Sequence, residues 1–385
     1  VSSPNRQRRI DLRKKEIGRI LTRLDAGDSC SVVGVGSVGK SNLLRHLLRP
    51  ETLRFHLQEK SRTIRMVLVD PNNMLGALPS RGQPSAWAGY EIMVHRLYKT
   101  FHPLINELGL DREQQEKLLL AYKELHNGSN PLLPLIGLRY LELALEQVLK
   151  SVDGSDRLIE PSGESVKSEK LPLRVVFVLD EFEEMLAQLP PRFFQTLRGI
   201  RDDYKYRVMY MTFTRRPIPQ IIEEEGYPAD KLEPFVELFN DGTYFLGPYD
   251  RKDAVAMIEN LSKRQGVNYP DSFREFLLKV SGGHAGLLRA SFRLAADIPF
   301  GTPEDKALRF FMESPAIALE CQTIWDSLTE DEREALRRLL SGREVNTSSA
   351  AVRLLLEKQL LKGQGAIEVN PPLFREFVRR QIAGA

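Results

Sequence analysis

The chain has 385 residues, 42% of them hydrophobic and 28% charged, the proportions of an ordinary globular protein of two or three domains, which argues against disordered or fibrous architectures. Its 55 lysines and arginines against 52 aspartates and glutamates leave a net charge of +3, so any polyanion-binding surface must be local. Two cysteines, Cys30 and Cys321, lie far apart without metal-ligand spacing, which speaks against a disulfide framework or structural zinc. No apolar run approaches the ~20 residues that span a bilayer, and the basic start Arg6-Gln7-Arg8-Arg9 is followed by charges and not by a signal-peptide core. The expectation is a soluble, cytoplasmic protein with no membrane partner; opening on Val1 and not Met is compatible with a trimmed chain that has further domains upstream.

Ile17, Ile20, Leu21 and Leu24 recur at helical spacing before Gly27 and predict a short amphipathic helix. Ser29 to Val33 reads as a strand, the glycines after it as a loop, and Ser41 to Leu48 as a helix stopped by Pro50. Thr63–Val69 and Leu173–Leu179 are near-continuous apolar runs closing on Asp70 and Asp180, and Arg207–Phe213 is a third. Strands buried on both faces have this pattern, so the expected fold class is α/β, a parallel sheet with helices on both faces and ligand chemistry at the carboxyl ends of its strands.

Met93, Leu97 and Phe101, then Leu138, Leu141, Leu145 and Val148, predict a helical insertion over about 84–150, in which Trp87, Tyr90, Tyr98 and Phe101 are best read as core aromatics. A polar stretch at about 153–170 is expected to be a mobile loop. Helices over Arg251–Leu261, Asp271–Val280 and Leu287–Ala296 predict a helical lid. From Ser314 onward come helices at Ile317–Leu328, Glu330–Leu340 and Ser348–Lys358, a ribbon around Gly363-Gln364-Gly365 and a last helix near Phe374, the pattern of a winged helix. The expected domains are 1–245 (core), 246–312 (lid) and 313–385 (winged helix).

The chemistry concentrates at Gly34-Val35-Gly36-Ser37-Val38-Gly39-Lys40-Ser41, a complete G-x-x-x-x-G-K-[ST] placed between strand and helix. Glycines let the backbone turn its N–H groups inward, and phosphates then sit at the positive end of the next helix. Gly34, Gly36, Ser37, Val38, Gly39, Lys40, Ser41 and Asn42 are the candidate contacts, with Lys40 as a point charge for the β- and γ-phosphates and Ser41 as a Mg²⁺ ligand. Asp180 and Glu181 end the second buried strand, where Asp180 can hold Mg²⁺ through its water shell and Glu181 can polarise an attacking water. Thr214-Arg215-Arg216 presents a hydroxyl and two guanidiniums; either arginine can act as phosphate sensor, or both can pair with Glu223–Glu225. Ser/His/Asp and Cys/His nucleophile signatures are absent, His46 reads as a packed or surface histidine, and His284 beside two glycines as part of a lid hinge.

These residues resemble the STAND ATPases, the signal-transduction branch close to the AAA+ and archaeal Orc-like ATPases. The likeness rests on Leu12-Arg13-Lys14-Lys15-Glu16-Ile17, the phosphate loop, Leu179-Asp180-Glu181, Leu197-Arg198 and Thr214-Arg215. It continues through Leu238-Phe239-Asn240, Leu246-Gly247-Pro248 and Gly282-Gly283-His284-Ala285-Gly286-Leu287-Leu288. The resemblance implies an ATP/ADP-binding, Mg²⁺-dependent switch of core, lid and winged helix, with Pro248 near the adenine and Arg289 as a second sensor; a plain surface charge is the competing reading of Arg289. Ala285 stands where relatives often have proline, and the winged helix shows no sensor histidine. The expected output is a protein partner or self-association, with a nucleotide-locked scaffold of negligible turnover as a variant. The alternative is a DNA-associated ATPase whose winged helix contacts duplex through Arg353, Lys358 and Lys362, although Glu357 interrupts that basic face.

Overall fold

The computed structural model describes residues 9–74, 86–105, 113, 116, 120, 133–153, 172–299, 301–363 and 367–383. The stretch expected to be a mobile loop, and most of the insertion between 106 and 132, lie outside the described residues.

Five strands form the central sheet: β1 (Cys30–Val33), β2 (Ile64–Val69), β3 (Arg174–Leu179), β4 (Val208–Thr214) and β5 (Thr243–Phe245), in the order β2-β3-β4-β1-β5. β3 runs parallel to both neighbours, with Val69 opposite Leu179 and Leu179 opposite Thr212. The apolar runs do become strands buried on both faces: β1 and β4 are buried throughout and β3 is buried from Val175 onward. β5, only three residues long, has no periodicity to announce it.

The chain divides into two compact units. One comprises Gly18–Val32 and Leu48–Tyr244. Its core joins β2, β3 and β4 to the paired helices α4 (Trp87–Ile105) and α5 (Leu133–Asp153), and to α6 (Phe182–Gln188), α7 (Pro191–Asp203), α8 (Ile218–Glu224) and α9 (Ala229–Val236). Trp87, Tyr90 and Phe101 are buried in that core and Tyr98 packs against it. The Tyr90 ring lies 5.1 Å from that of Phe193, which itself leads a cluster with Phe194, Phe182 and Phe235 at 5.3–5.9 Å. The described part of the insertion is therefore core and offers no free aromatic face.

The other unit comprises Val1–Ile17, Val33–Leu47 and Phe245–Ala385. It holds the glycine loop, α2 (Lys40–Leu47), α10 (Arg251–Gln265), α11 (Asp271–Ser281) and α12 (Ala285–Leu294). α13 (Glu304–Glu313), α14 (Pro315–Asp326), α15 (Glu330–Leu340) and α16 (Ala350–Glu357) follow. Antiparallel β6 (Leu361–Lys362) and β7 (Glu368–Val369) precede α17 (Pro372–Ala383). Thr329 and Glu332 cap α15 reciprocally, each side chain accepting the other's backbone amide.

Lys358 corrects the sequence reading. Its ammonium is buried and donates to both Glu332 carboxylate oxygens at 2.6 and 2.7 Å. The apolar face of α16 packs inward through Val352 and Leu355 and carries the adjoining lysine with it. That cation is a structural ion pair and is not presented to a duplex.

Candidate functional site

Residues 34–39 connect β1 to α2. Gly39 holds φ at +110°, a conformation closed to side chains, and Ser37 is also left-handed at +56°. Lys40 folds back over the loop, its ammonium donating to the Gly34 carbonyl at 2.5 Å and the Val35 carbonyl at 3.3 Å. The loop thus runs from a strand end through left-handed backbone into a helix N-terminus, an arrangement whose inward amides and helix dipole favour an anion.

The C-terminal helices of the same unit hold the loop from outside. The Gly36 amide donates to the Ser327 hydroxyl at 2.8 Å, and that hydroxyl donates to the Thr323 carbonyl at 2.7 Å. A Cβ on Gly36 would lie 2.6 Å from the Thr323 carbonyl oxygen, so the end of α14 rests directly on the loop. His284 caps α12 and sits 3.1 Å from the Gly36 carbonyl through Nε2, while the Gly286 amide donates to the Ser37 carbonyl at 3.0 Å. Burial, then the Arg13 and Lys40 charges, push the His284 imidazole down to about 3 against the opposing pull of its Gly36 bond. It is therefore neutral at physiological pH, and its Nε2 proton is donated to Gly36.

Arg13 ties the lead-in to this arrangement. Its buried guanidinium donates to the Val38 and Gly247 carbonyls, both at 3.0 Å, and lies 4.4 Å over the Tyr249 ring. Its backbone amide donates to Asp253 at 2.8 Å. The Tyr249 hydroxyl accepts from the Asn42 amide group at 3.1 Å. Beside these residues opens a cavity of about 260 Å³, walled by Leu12, Tyr249, Ala256, Met257 and Leu261, with Asn42, Asp253 and Asn260 as polar groups. Arg289 lines it. Pro248 is buried and does not line it; its neighbour Tyr249 does.

In the other unit, β2 and β3 end side by side and bring four polar residues together. Asn72 donates from its side-chain amide to Asp70 at 3.0 Å and to Glu181 at 2.9 Å, and the Glu181 amide donates to Asp180 at 3.1 Å. Glu181 is left-handed at φ +44° and exposed, and Asp180 is half-buried. At the end of β4 the Arg215 amide donates to Glu183, and the Arg216 guanidinium pairs with Glu224 and Glu225. The two arginines thus differ: Arg216 is held by carboxylates, whereas the exposed Arg215 guanidinium has no ion pair among the described residues. The Thr214 hydroxyl is buried without a hydrogen-bond partner.

No protein-family model matches the sequence, and no curated protein does either. Among solved structures the chain is similar to a Walker-type ATPase of Pyrococcus abyssi, with 13% identity, a TM-score of 0.52 and coverage of 98% of this chain and 99% of that one. It also matches Cdc6p of Pyrobaculum aerophilum (10% identity, TM-score 0.40, 99% and 97% covered) and the RuvB branch migration motor of Thermotoga maritima (13%, 0.36, 96% and 94%). The likeness is one of fold: a mostly parallel five-stranded sheet with helices, the P-loop NTPase architecture.

Within that fold, sequence reasoning missed Arg13 as a loop anchor, the His284 and Ser327 contacts to Gly36, and the bridging role of Asn72. The Asn42–Tyr249 pair had a local signal, since Asn42 directly follows the motif. Ser327 and His284 had none, because their contacts cross nearly 300 and 250 positions of chain.

Proposed function

We propose that the protein is an ATP-binding and ATP-hydrolysing switch of the STAND type, in which nucleotide at the glycine loop opposes the docking of α14. The observation that carries this reading is the Gly36 amide held by Ser327: a helix of the C-terminal region takes a donor on the loop that grips phosphate. A triphosphate chain and that helix then compete for one short stretch of backbone, and a ligand shifts such an equilibrium only by its differential affinity for the two arrangements.

In this reading the loop amides and Lys40 bind the phosphates, and Ser41 and Asp180 hold Mg²⁺. Bound there, the ion would neutralise charge developing on the phosphates. Glu181 orients the attacking water; Asn72, donating to its carboxylate, holds it aimed. Arg215, whose guanidinium makes no ion pair among the described residues, is the better sensor candidate of the two arginines. The apolar wall of Leu12, Tyr249 and Ala256 suits a base, with Arg289 reaching the nucleotide from α12. The helices and ribbon after Ser314 act as a winged helix whose release creates a surface for a protein partner or self-association in the cytoplasm.

Calorimetry with Mg·ATP tests the assignment. Lys40→Ala is expected to abolish binding, and Glu181→Gln to retain ATP while slowing turnover; equal affinity in wild type and the Lys40 variant rejects it.

A further inference from the structure

The cavity beside the loop carries far more positive charge than a nucleoside base requires. Arg9, Arg45, Arg264, Arg289 and Arg293 all line it, against a single carboxylate, Asp253. Arg9 is neutralised by Asp11 through two hydrogen bonds of 2.8 and 2.9 Å. Arg45 bonds only to neutral groups, the Ser41 carbonyl and the Asn42 side chain. Arg264, Arg289 and Arg293 make no hydrogen bond or ion pair with the described residues. Four guanidiniums without a carboxylate partner line a cavity of about 260 Å³, a local excess of positive charge that favours an anion.

Their positions along the helices separate them from the loop. α2, α10 and α12 all begin beside it: α2 follows Gly39, the α10 residue Asp253 accepts the Arg13 amide, and the α12 residue Gly286 donates to Ser37. Arg264 and Arg293 lie further along α10 and α12, whereas the Arg45 guanidinium folds back to the loop end, onto Asn42 and the Ser41 carbonyl. At about 1.5 Å per residue, Arg264 is ~16 Å along α10 from Asp253, and Arg293 ~10 Å along α12 from Gly286. The cavity therefore has a loop end, with Asn42, Tyr249 and Asp253, and a far end bounded by arginines.

We propose that this far end, formed by Arg264 and Arg293, is a second phosphate-binding site, distinct from the glycine loop. It takes a phosphate carried on the ribose of a nucleotide at a position other than its 5′ chain, or a separate phosphate held alongside. Guanidinium is the fitting donor because its planar fork meets two phosphate oxygens at once. The nucleotide-borne form rests on the loop reading above; the anion site itself does not.

The test uses the full chain, two nucleotide probes and inorganic pyrophosphate. Adenosine 3′,5′-bisphosphate is expected to bind wild type about 10-fold or more tighter than adenosine 5′-monophosphate, the size of one charge-assisted contact. Arg264→Gln/Arg293→Gln is expected to erase that preference with an unchanged melting temperature, since both side chains are exposed; the single variants Arg264→Gln and Arg293→Gln, each expected to reduce it, read the same site if the double variant fails to fold. Pyrophosphate titrated into Lys40→Ala protein identifies the separate source: binding that the arginine substitutions remove marks a free-phosphate site, and the bisphosphate preference alone marks a nucleotide-borne one. Neither response depending on the arginines overturns the proposal. Loss of ATP binding is read separately in the Lys40 variant, so failure of the loop assignment and failure of this site give different results.

Discussion

The Gly36 amide and the Ser327 hydroxyl, 291 positions apart in sequence, are joined by a 2.8 Å hydrogen bond. The loop proposed to offer its amides to phosphate thus offers one to its own C-terminal region, and that single bond sets the first expectation.

Ser327→Ala removes the acceptor without touching the loop. If α14 and phosphate compete, the substitution weakens the competitor by about 0.5–1.5 kcal/mol, the net worth of one such bond, and tightens Mg·ATP binding by about 2- to 10-fold. Calorimetry on the full chain checks this, and weaker or unchanged affinity contradicts it.

Gly36→Ala acts on the same contact from the other side. The added Cβ would stand 2.3 Å from the Thr323 methyl and 2.6 Å from its carbonyl oxygen, so α14 must move. The expected outcome is faster hydrogen exchange across α14 with the sheet of the other unit unaffected; unchanged α14 protection would show the docking to be looser than described.

How much of this was legible in the sequence depends on range. β2, β3 and β4 announced themselves, because doubly buried strands need uninterrupted apolar residues, and their observed bounds fall within a residue of Thr63–Val69, Leu173–Leu179 and Arg207–Phe213. Helices α10 and α11 were legible from apolar periodicity, though α10 runs on to Gln265, past the expected end at Leu261. The short β5 and the helix α13 were not, since three residues hold no period and a helix starting Glu304-Asp305 reads as a charged loop. In the site, the local motif around Lys40 was readable, whereas His284 looked like a hinge because nothing in Gly282-Gly283-His284 tells that its ring reaches Gly36.

His284 gives a pH expectation with a definite sign. Its pKa falls from 6.5 in the open chain to about 3 when buried, so between those values the unfolded chain binds the extra proton. Its contribution to stability is whole above about pH 6.5 and is lost as pH falls toward 3, at up to about 1.4 kcal/mol per pH unit. Denaturant melts across that range are expected to show a shallower acid slope for His284→Gln than for wild type; identical slopes would place the imidazole in water.

The Glu332–Lys358 pair is the second stability expectation. Both side chains are buried, at 0% and 1% exposure, so Glu332→Gln strands an ammonium in the interior and should cost about 3–5 kcal/mol, whereas Glu332→Leu/Lys358→Met should restore much of that loss. Thermal melts of the single and double variants decide it, and a mild single-variant effect would contradict the buried pairing.

Hydrogen exchange of the full chain with and without Mg·ATP tests the central claim most directly. The account predicts that nucleotide slows exchange of the amides from Ser37 to Ser41 and, in the same sample, speeds exchange in α14 around Thr323 and Ser327. Protection of the loop with α14 unchanged or further protected would contradict the competition between phosphate and helix, and an unprotected loop would contradict the nucleotide site itself.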